Sequence, residues 1–194
     1  VPYDLADSKF KPVFKSMIDA GFEIGLHAGY NSFQSVDLFR AEKERLEELA
    51  QVEVKGLRHH YWHLGPNPEQ TLDYHSQAGF LYDSSLGFND GLGFRRNTAS
   101  PYYPWLPSKN NEIKTLQLPV FCMDGNLFAQ NSDVDTALRR VEKFINEIRT
   151  HEGVGMIDWH TRTSHDSGRE FRKWGQGYLK ILEHLSTISD AWVT

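Results

Sequence analysis

The chain has 194 residues, 39% apolar and 24% charged, with 21 basic against 26 acidic residues and a net charge of −5. That length suggests one domain, and the apolar share is enough for a packed core and too large for a disordered chain. The composition excludes a strongly basic nucleic-acid surface, a membrane-spanning run of about 18 apolar residues and, with Cys122 as the single cysteine, a disulfide framework.

Asp7 or Ser8 is placed to cap a helix over 9–20, whose apolar stripe is Phe10, Val13, Phe14, Met17 and Ile18, and Gly21 is placed to end it. Residues 22–27 read as a short strand. Ser35 caps a second helix with Phe39, Leu46 and Leu49 on one face. Its other face carries Glu42, Lys43, Glu44, Arg45, Glu47 and Glu48 and reads as solvated. Residues 54–58 are the next strand. Asn67-Pro68-Glu69-Gln70 supplies an N-cap, a proline at the first helical position and a glutamine to close a capping box. That helix ends near Gly79, and residues 80–83 are extended again.

From 84 to 111 glycine, asparagine, proline and aromatic residues dominate. A loop of that length is either functional or disordered, and its aromatic content speaks against disorder. Residues 115–121 form a strand. Asp133 starts a helix with Leu138, Val141, Phe144, Ile145 and Ile148, closed by Gly153. Residues 154–159 are a strand, and a last helix covers 169–188. There is no repeat, low-complexity tract or linker, so residues 1–194 read as one domain.

Strands alternating with helices imply parallel pairing, in a barrel or an open sheet. Both gather the carboxyl ends of strands on one face, where ligands bind. Three strands here end in histidine: Gly25-Leu26-His27, Leu57-Arg58-His59-His60 and Ile157-Asp158-Trp159-His160. A single strand-end histidine is more often a satisfied polar residue. Three at equivalent positions favour a site, with His27 and His160 foremost. Imidazole suits zinc and is the usual acid–base group near neutral pH. His59 and His60, as neighbours, point to opposite sides of a strand, so at most one faces that site. His63, His75, His151 and His184 read as loop or helix-surface residues, and His165 as part of a polar loop.

Gly21-Phe22-Glu23-Ile24-Gly25-Leu26-His27 resembles the G-x-E-I-G-x-H stretch of the polysaccharide deacetylases, the NodB-homology domain of carbohydrate esterase family four. The resemblance implies an α/β fold of the distorted (β/α)-barrel type. It also implies a divalent metal ion, with zinc expected, and removal of acetyl groups from N-acetylated or O-acetylated sugars. The family's H-[ST]-x-x-H stretch is His27-Ala28-Gly29-Tyr30-Asn31 here, with Asn31, a weaker oxygen donor, in place of the second histidine. Its R-x-P-[YF] stretch is Arg58-His59-His60-Tyr61, and His60 is expected to supply the missing imidazole. The implied metal ligands are therefore His27, Asn31 and His60.

Tyr82-Asp83-Ser84-Ser85 resembles the stretch whose aspartate holds the arginine, which implies an Arg58–Asp83 pair beside the site. Ile157-Asp158-Trp159-His160 resembles the strand ending L-x-H and makes His160 the catalytic acid. Asp158 departs from the apolar residue usual there and is expected to orient His160 or to face a polar rim. Tyr30, Tyr61, Arg95, Trp105 and Asp158 are the expected substrate contacts, with the Tyr30 N–H a candidate oxyanion donor. Asp124, in Met123-Asp124-Gly125, is either a rim residue or a β-turn aspartate.

The family begins with an aspartate pair at the end of its first strand, and nothing before His27 resembles it. Asp4, Asp7 and Asp19 lie in a loop or a helix. The barrel is accordingly read as incomplete at the N-terminus, and the 194 residues alone are expected not to release acetate. An inactive glycan-binding relative is the first alternative. An unrelated α/β metallohydrolase using His27, His60 and His160 together is the second. The expected partner is a carbohydrate, without nucleic acid or a membrane span. The lack of a leader peptide favours the cytoplasm, and the sequence names neither the sugar nor the number of subunits.

Overall fold

The computed structural model describes residues 4–128, 133–164 and 170–193. The chain packs as two compact units, residues 1–85 with 102–117, and residues 86–101 with 118–194.

In the first unit, Asp7 accepts the Lys9 N–H at 3.1 Å and opens a 3-10 turn that runs into helix α1 (Lys11–Asp19). Gly21, at φ +84°, lets the Phe22 N–H return to the Met17 carbonyl at 3.0 Å and stop the helix. Ser35 caps α2 (Val36–Ala50) through the Leu38 N–H at 3.3 Å, and Asn67 caps α3 (Pro68–Gln77) through the Gln70 N–H at 3.3 Å. The Gln70 side chain does not reach back to the cap. Its amide donates to the Tyr74 hydroxyl at 2.7 Å, so the capping box is half made.

Strands β1 (Leu26–Ala28), β2 (Gly56–His59) and β3 (Tyr82–Asp83) precede a short antiparallel hairpin, β4 (Trp105–Leu106) and β5 (Asn111–Glu112). Strand β6 (Leu116–Gln117) completes a four-stranded parallel sheet in the order β1-β2-β3-β6. His27 lies opposite Arg58 and Ala28 opposite His59. Leu26, Ala28, Phe39, Leu46, Val54, Leu57 and Phe80 form the core under this sheet. Since side chains alternate along a strand, burying Leu26 and Ala28 turns His27 to the other face.

The charged face of α2 is not wholly solvated. Glu42 accepts the Gly29 N–H at 3.1 Å and the Ser32 hydroxyl at 2.7 Å, and Glu47 accepts the Val54 N–H at 2.9 Å. Two carboxylates expected in water instead satisfy backbone donors of the segments beside the helix.

In the second unit, β7 (Val120–Met123) and β8 (Met156–Asp158) pair in parallel, joined by a single helical turn α4 (Asp124–Leu127) and by α5 (Val134–Thr150). Asp133 caps α5 through the Thr136 N–H at 2.8 Å. Ala137, Val141 and Ile145 of α5 bury against Phe121, Leu127, Phe128 and Ile181, the last on α6 (Arg172–Ser186). Residues 86–101 are tied to this unit: the Gly93 N–H bonds the Phe121 carbonyl at 2.8 Å, and the Val154 N–H bonds the Ala99 carbonyl at 2.7 Å.

The strand expected over 115–121 is two strands, β6 and β7, in separate sheets. Leu118-Pro119 interrupts it, and proline has no N–H to continue a ladder. The loop expected over 84–111 is divided between the two units and includes the β4–β5 hairpin. Among the described residues no helix is long and apolar enough to cross a membrane.

Candidate functional site

The end of β1 and the end of β2 bring two histidines together. His27 Nε2 lies 2.9 Å from His60 Nδ1, with the rings edge to face at 5.0 Å. His60 opens a 3-10 turn, His60–Trp62, while His59 before it points into the core. Glu42 braces the loop after His27 through Gly29 and Ser32. A Cβ at Gly29 would stand 2.8 Å from the Glu42 carboxylate and 3.0 Å from the Ser32 hydroxyl, so a side chain there would push the Glu42 carboxylate aside. Asn31 is exposed at the start of the 3-10 turn Ser32–Gln34, where its carbonyl accepts the Gln34 N–H at 3.1 Å.

The two nitrogens share a hydrogen bond, and imidazole nitrogen is a donor type that suits zinc. Ligand nitrogens of a tetrahedral zinc stand about 3.3 Å apart, a small opening from the observed separation. His27 and His60 supply two such donors. Among the described residues no group of three or more histidine, cysteine or acidic side chains is placed to hold a metal ion.

Behind this pair runs a buried chain of polar groups. His59 Nε2 meets His75 Nε2 at 2.9 Å, and His75 Nδ1 stands 3.9 Å from the Asp83 carboxylate. Asp83 accepts the Ser85 hydroxyl, which in turn accepts the His59 N–H at 2.9 Å. Arg58 Nε donates to the Ser84 hydroxyl at 3.0 Å. His75, expected on a helix surface, is instead fully buried on the inner face of α3.

Burial pushes the Asp83 carboxyl up to about 7. It pushes His59 down to about 4 and His75 well below its ordinary 6.5. Between about pH 4 and 6.5 the folded chain holds a proton on Asp83 that the unfolded chain has lost. Over the same window the unfolded chain binds protons on both histidines that the folded chain refuses. The unfolded state therefore takes up more protons than the folded one, and stability should fall as pH drops through this window. In His75→Gln one histidine leaves the balance and this contribution should vanish. Urea midpoints at pH 6.5, 5.5 and 4.5 check this. Equal slopes in the two proteins would contradict it.

The second unit holds the third strand-end histidine. His160 follows β8, and Asp124 follows β7. The Asp124 carboxylate accepts His160 Nδ1 at 2.8 Å and the His160 backbone N–H at 3.1 Å. It also takes the Thr163 hydroxyl and its neighbour's Gly125 N–H, the latter at 2.7 Å. The Asp124 side chain is 1% exposed and that of His160 is 39% exposed. A buried carboxylate thus fixes one ring nitrogen of an imidazole that reaches solvent, the arrangement of a general acid–base histidine. Asp158, two residues before His160, pairs opposite Met123 on β7, and the carboxylate that holds His160 belongs to Asp124.

Tyr30 and Tyr61 are exposed in the first unit, as is Trp105 on β4, while Arg95 is exposed in the second. His165 lies outside the described residues.

The fold resembles that of polysaccharide deacetylases. A crystal structure assigned as a polysaccharide deacetylase from Mycobacterium smegmatis matches with a TM-score of 0.67 and 22% identity, over 96% of this chain and 64% of that one. Another, from Pseudomonas aeruginosa PAO1, matches with a TM-score of 0.63 and 16% identity, over 96% of this chain and 60% of that one. At such identities the likeness is one of fold, and this chain spans less than two thirds of the length of either protein. No family model and no curated protein matches it.

Proposed function

We propose that residues 1–194 form one deacetylase-like domain of the distorted (β/α)-barrel type. The activity this domain serves is metal-dependent removal of acetyl groups from the N-acetylated sugars of a polysaccharide, and residues 1–194 by themselves are expected not to complete it. The Asp124–His160 pair carries this reading: it is a built acid–base group at a strand end, in a fold shared with polysaccharide deacetylases.

His27 and His60 are the residues that would hold a divalent ion, which when bound lowers the pKa of a water and polarises an acetyl carbonyl. Asp124 keeps the proton of the His160 ring on Nδ1 and stabilises the imidazolium. The other ring nitrogen is then the one that can pass a proton to a bound group. Arg58, held by Ser84, and the buried Asp83 form the wall beside the histidine pair. The Tyr30 N–H is the candidate donor to the oxyanion.

Elemental analysis after zinc titration tests the metal. Wild type should retain zinc stoichiometrically and His27→Ala should lose it. Zinc in neither would overturn metal dependence in this chain.

One observation favours a second reading, a glycan-binding relative without catalysis. The aspartates before His27 all have structural partners: Asp4 bonds Ala6 N–H at 3.0 Å and Arg45 at 2.8 Å, Asp7 caps the first turn, and Asp19 pairs with Lys15 at 2.7 Å. Acetate release from chitopentaose separates the two. Release supports the enzyme; binding without release supports the relative.

A further inference from the structure

Glu42 stands on α2 three residues after Phe39 and four before Leu46, both buried in the core of the first unit. Side chains at those spacings share one helix face, so Glu42 is carried at the border of the packed stripe and is half-buried. Its carboxylate spends both oxygens on one loop. It accepts the Gly29 N–H at 3.1 Å and the Ser32 hydroxyl at 2.7 Å, and Ser32 is 2% exposed. The Ser32 N–H returns to the Gly29 carbonyl at 3.1 Å and closes loop 29–32 on itself.

This loop lies between the two histidines of the pair. On one side it continues β1, a three-residue strand that among the described residues pairs with β2 alone. On the other side His63, which follows the turn His60–Trp62, brings Nδ1 to the Tyr30 carbonyl at 2.9 Å. The backbone that carries His27 and the turn that opens with His60 are thus tied to the same four residues. So short an edge strand has few ladder bonds to hold its own end. A carboxylate that takes two donors and is mounted on a packed helix supplies the missing rigidity.

We propose that Glu42 is a positioning residue for the histidine pair: its carboxylate fixes loop 29–32 and, through it, the register of the His27 ring against His60. That the pair holds a metal ion rests on the reading given under Proposed function, whereas the meeting of the two rings at 2.9 Å does not. Gly29 belongs to the same device, since a Cβ there would stand 2.8 Å from the carboxylate and displace it. Glutamine at position 42 preserves the device without the charge. Its amide oxygen accepts the Gly29 N–H, and its N–H₂ donates to the Ser32 hydroxyl oxygen.

The test reads the ring nitrogens of His27 and His60 by nuclear magnetic resonance in the metal-stripped chain, and then zinc binding by calorimetry. In wild type the shared hydrogen bond should hold each ring in a single tautomer. In Glu42→Ala both rings should average their tautomers, and zinc binding should weaken roughly tenfold to a hundredfold. Glu42→Gln should restore the wild-type pattern, and Gly29→Ala should shift it in the direction of Glu42→Ala. Circular dichroism checks that each variant folds, and Gly29→Ala takes the place of Glu42→Ala if the latter does not. Averaged tautomers in wild type overturn the proposal. So does a folded Glu42→Ala with wild-type ring signals, which makes Glu42 a stabiliser of the loop and nothing more. An equal loss in Glu42→Ala and Glu42→Gln overturns it in favour of an effect of charge. If wild type takes up no zinc, the metal reading fails while the ring signals still decide the role of Glu42.

Discussion

Asp124→Ala is expected to destabilise the second unit by roughly 2–4 kcal/mol, because it strips four donors of one buried acceptor. Those donors are the His160 N–H and Nδ1, the Thr163 hydroxyl and the Gly125 N–H. Thr163 is itself fully buried, and without the carboxylate its hydroxyl keeps the His160 carbonyl at 2.7 Å as acceptor, so the cost falls mainly on the His160 and Gly125 donors. Asp124→Asn keeps the volume but turns an N–H₂ toward groups that are themselves donors. The imidazole is then driven toward the other tautomer. If acetate is released by wild type, either variant should reduce kcat by roughly 10²–10⁴-fold, the usual worth of a positioned acid–base group. Urea denaturation measures the first effect, and the ring nitrogen resonances of His160 report the tautomer. An unchanged midpoint with an unchanged tautomer would remove Asp124 from this role.

Phe39→Ala should cost the first unit about 3–5 kcal/mol. Phe39 has no exposed surface and stands edge-on to His59 at 5.2 Å, to His75 at 4.8 Å and to Phe80 at 6.4 Å. Removing its ring therefore opens a cavity against three aromatic partners, two of them the buried histidines. A folded domain is stable by only about 5–15 kcal/mol, so this one change takes a large share. The urea midpoint should drop well below that of wild type, and the His59 and His75 ring protons should gain solvent exchange. A loss under about 1 kcal/mol would mean that α2 repacks and that Phe39 does not hold the histidine chain in place.

Both predictions rest on residues whose partners are far away in sequence, and this divides what could be read early from what could not. The helix starts were legible because caps are local. Asp7, Ser35, Asn67 and Asp133 each bond a backbone N–H two or three residues on. The strand-end positions of His27, His60 and His160 were legible from alternation and from apolar runs ending in polar residues. Even locally the reading failed where a side chain had a better partner nearby. Gln70 chose the Tyr74 hydroxyl over the cap, and Pro119 split one apolar run into two strands.

What the amino-acid order by itself determined is the alternation of helices and parallel strands, their caps, and the histidines at the strand ends. Only the tertiary structure decided which groups those histidines meet. Asp124 and His160 are separated by 36 positions, and His59 and His75 by 16. Glu42 and Glu47 left a charged helix face to serve backbone donors of neighbouring segments. Caps and periodicity follow from bonds that span a few residues. Pairing between distant groups follows from which buried donors and acceptors the fold must satisfy once water is gone, and that requirement is set by the packed chain as a whole.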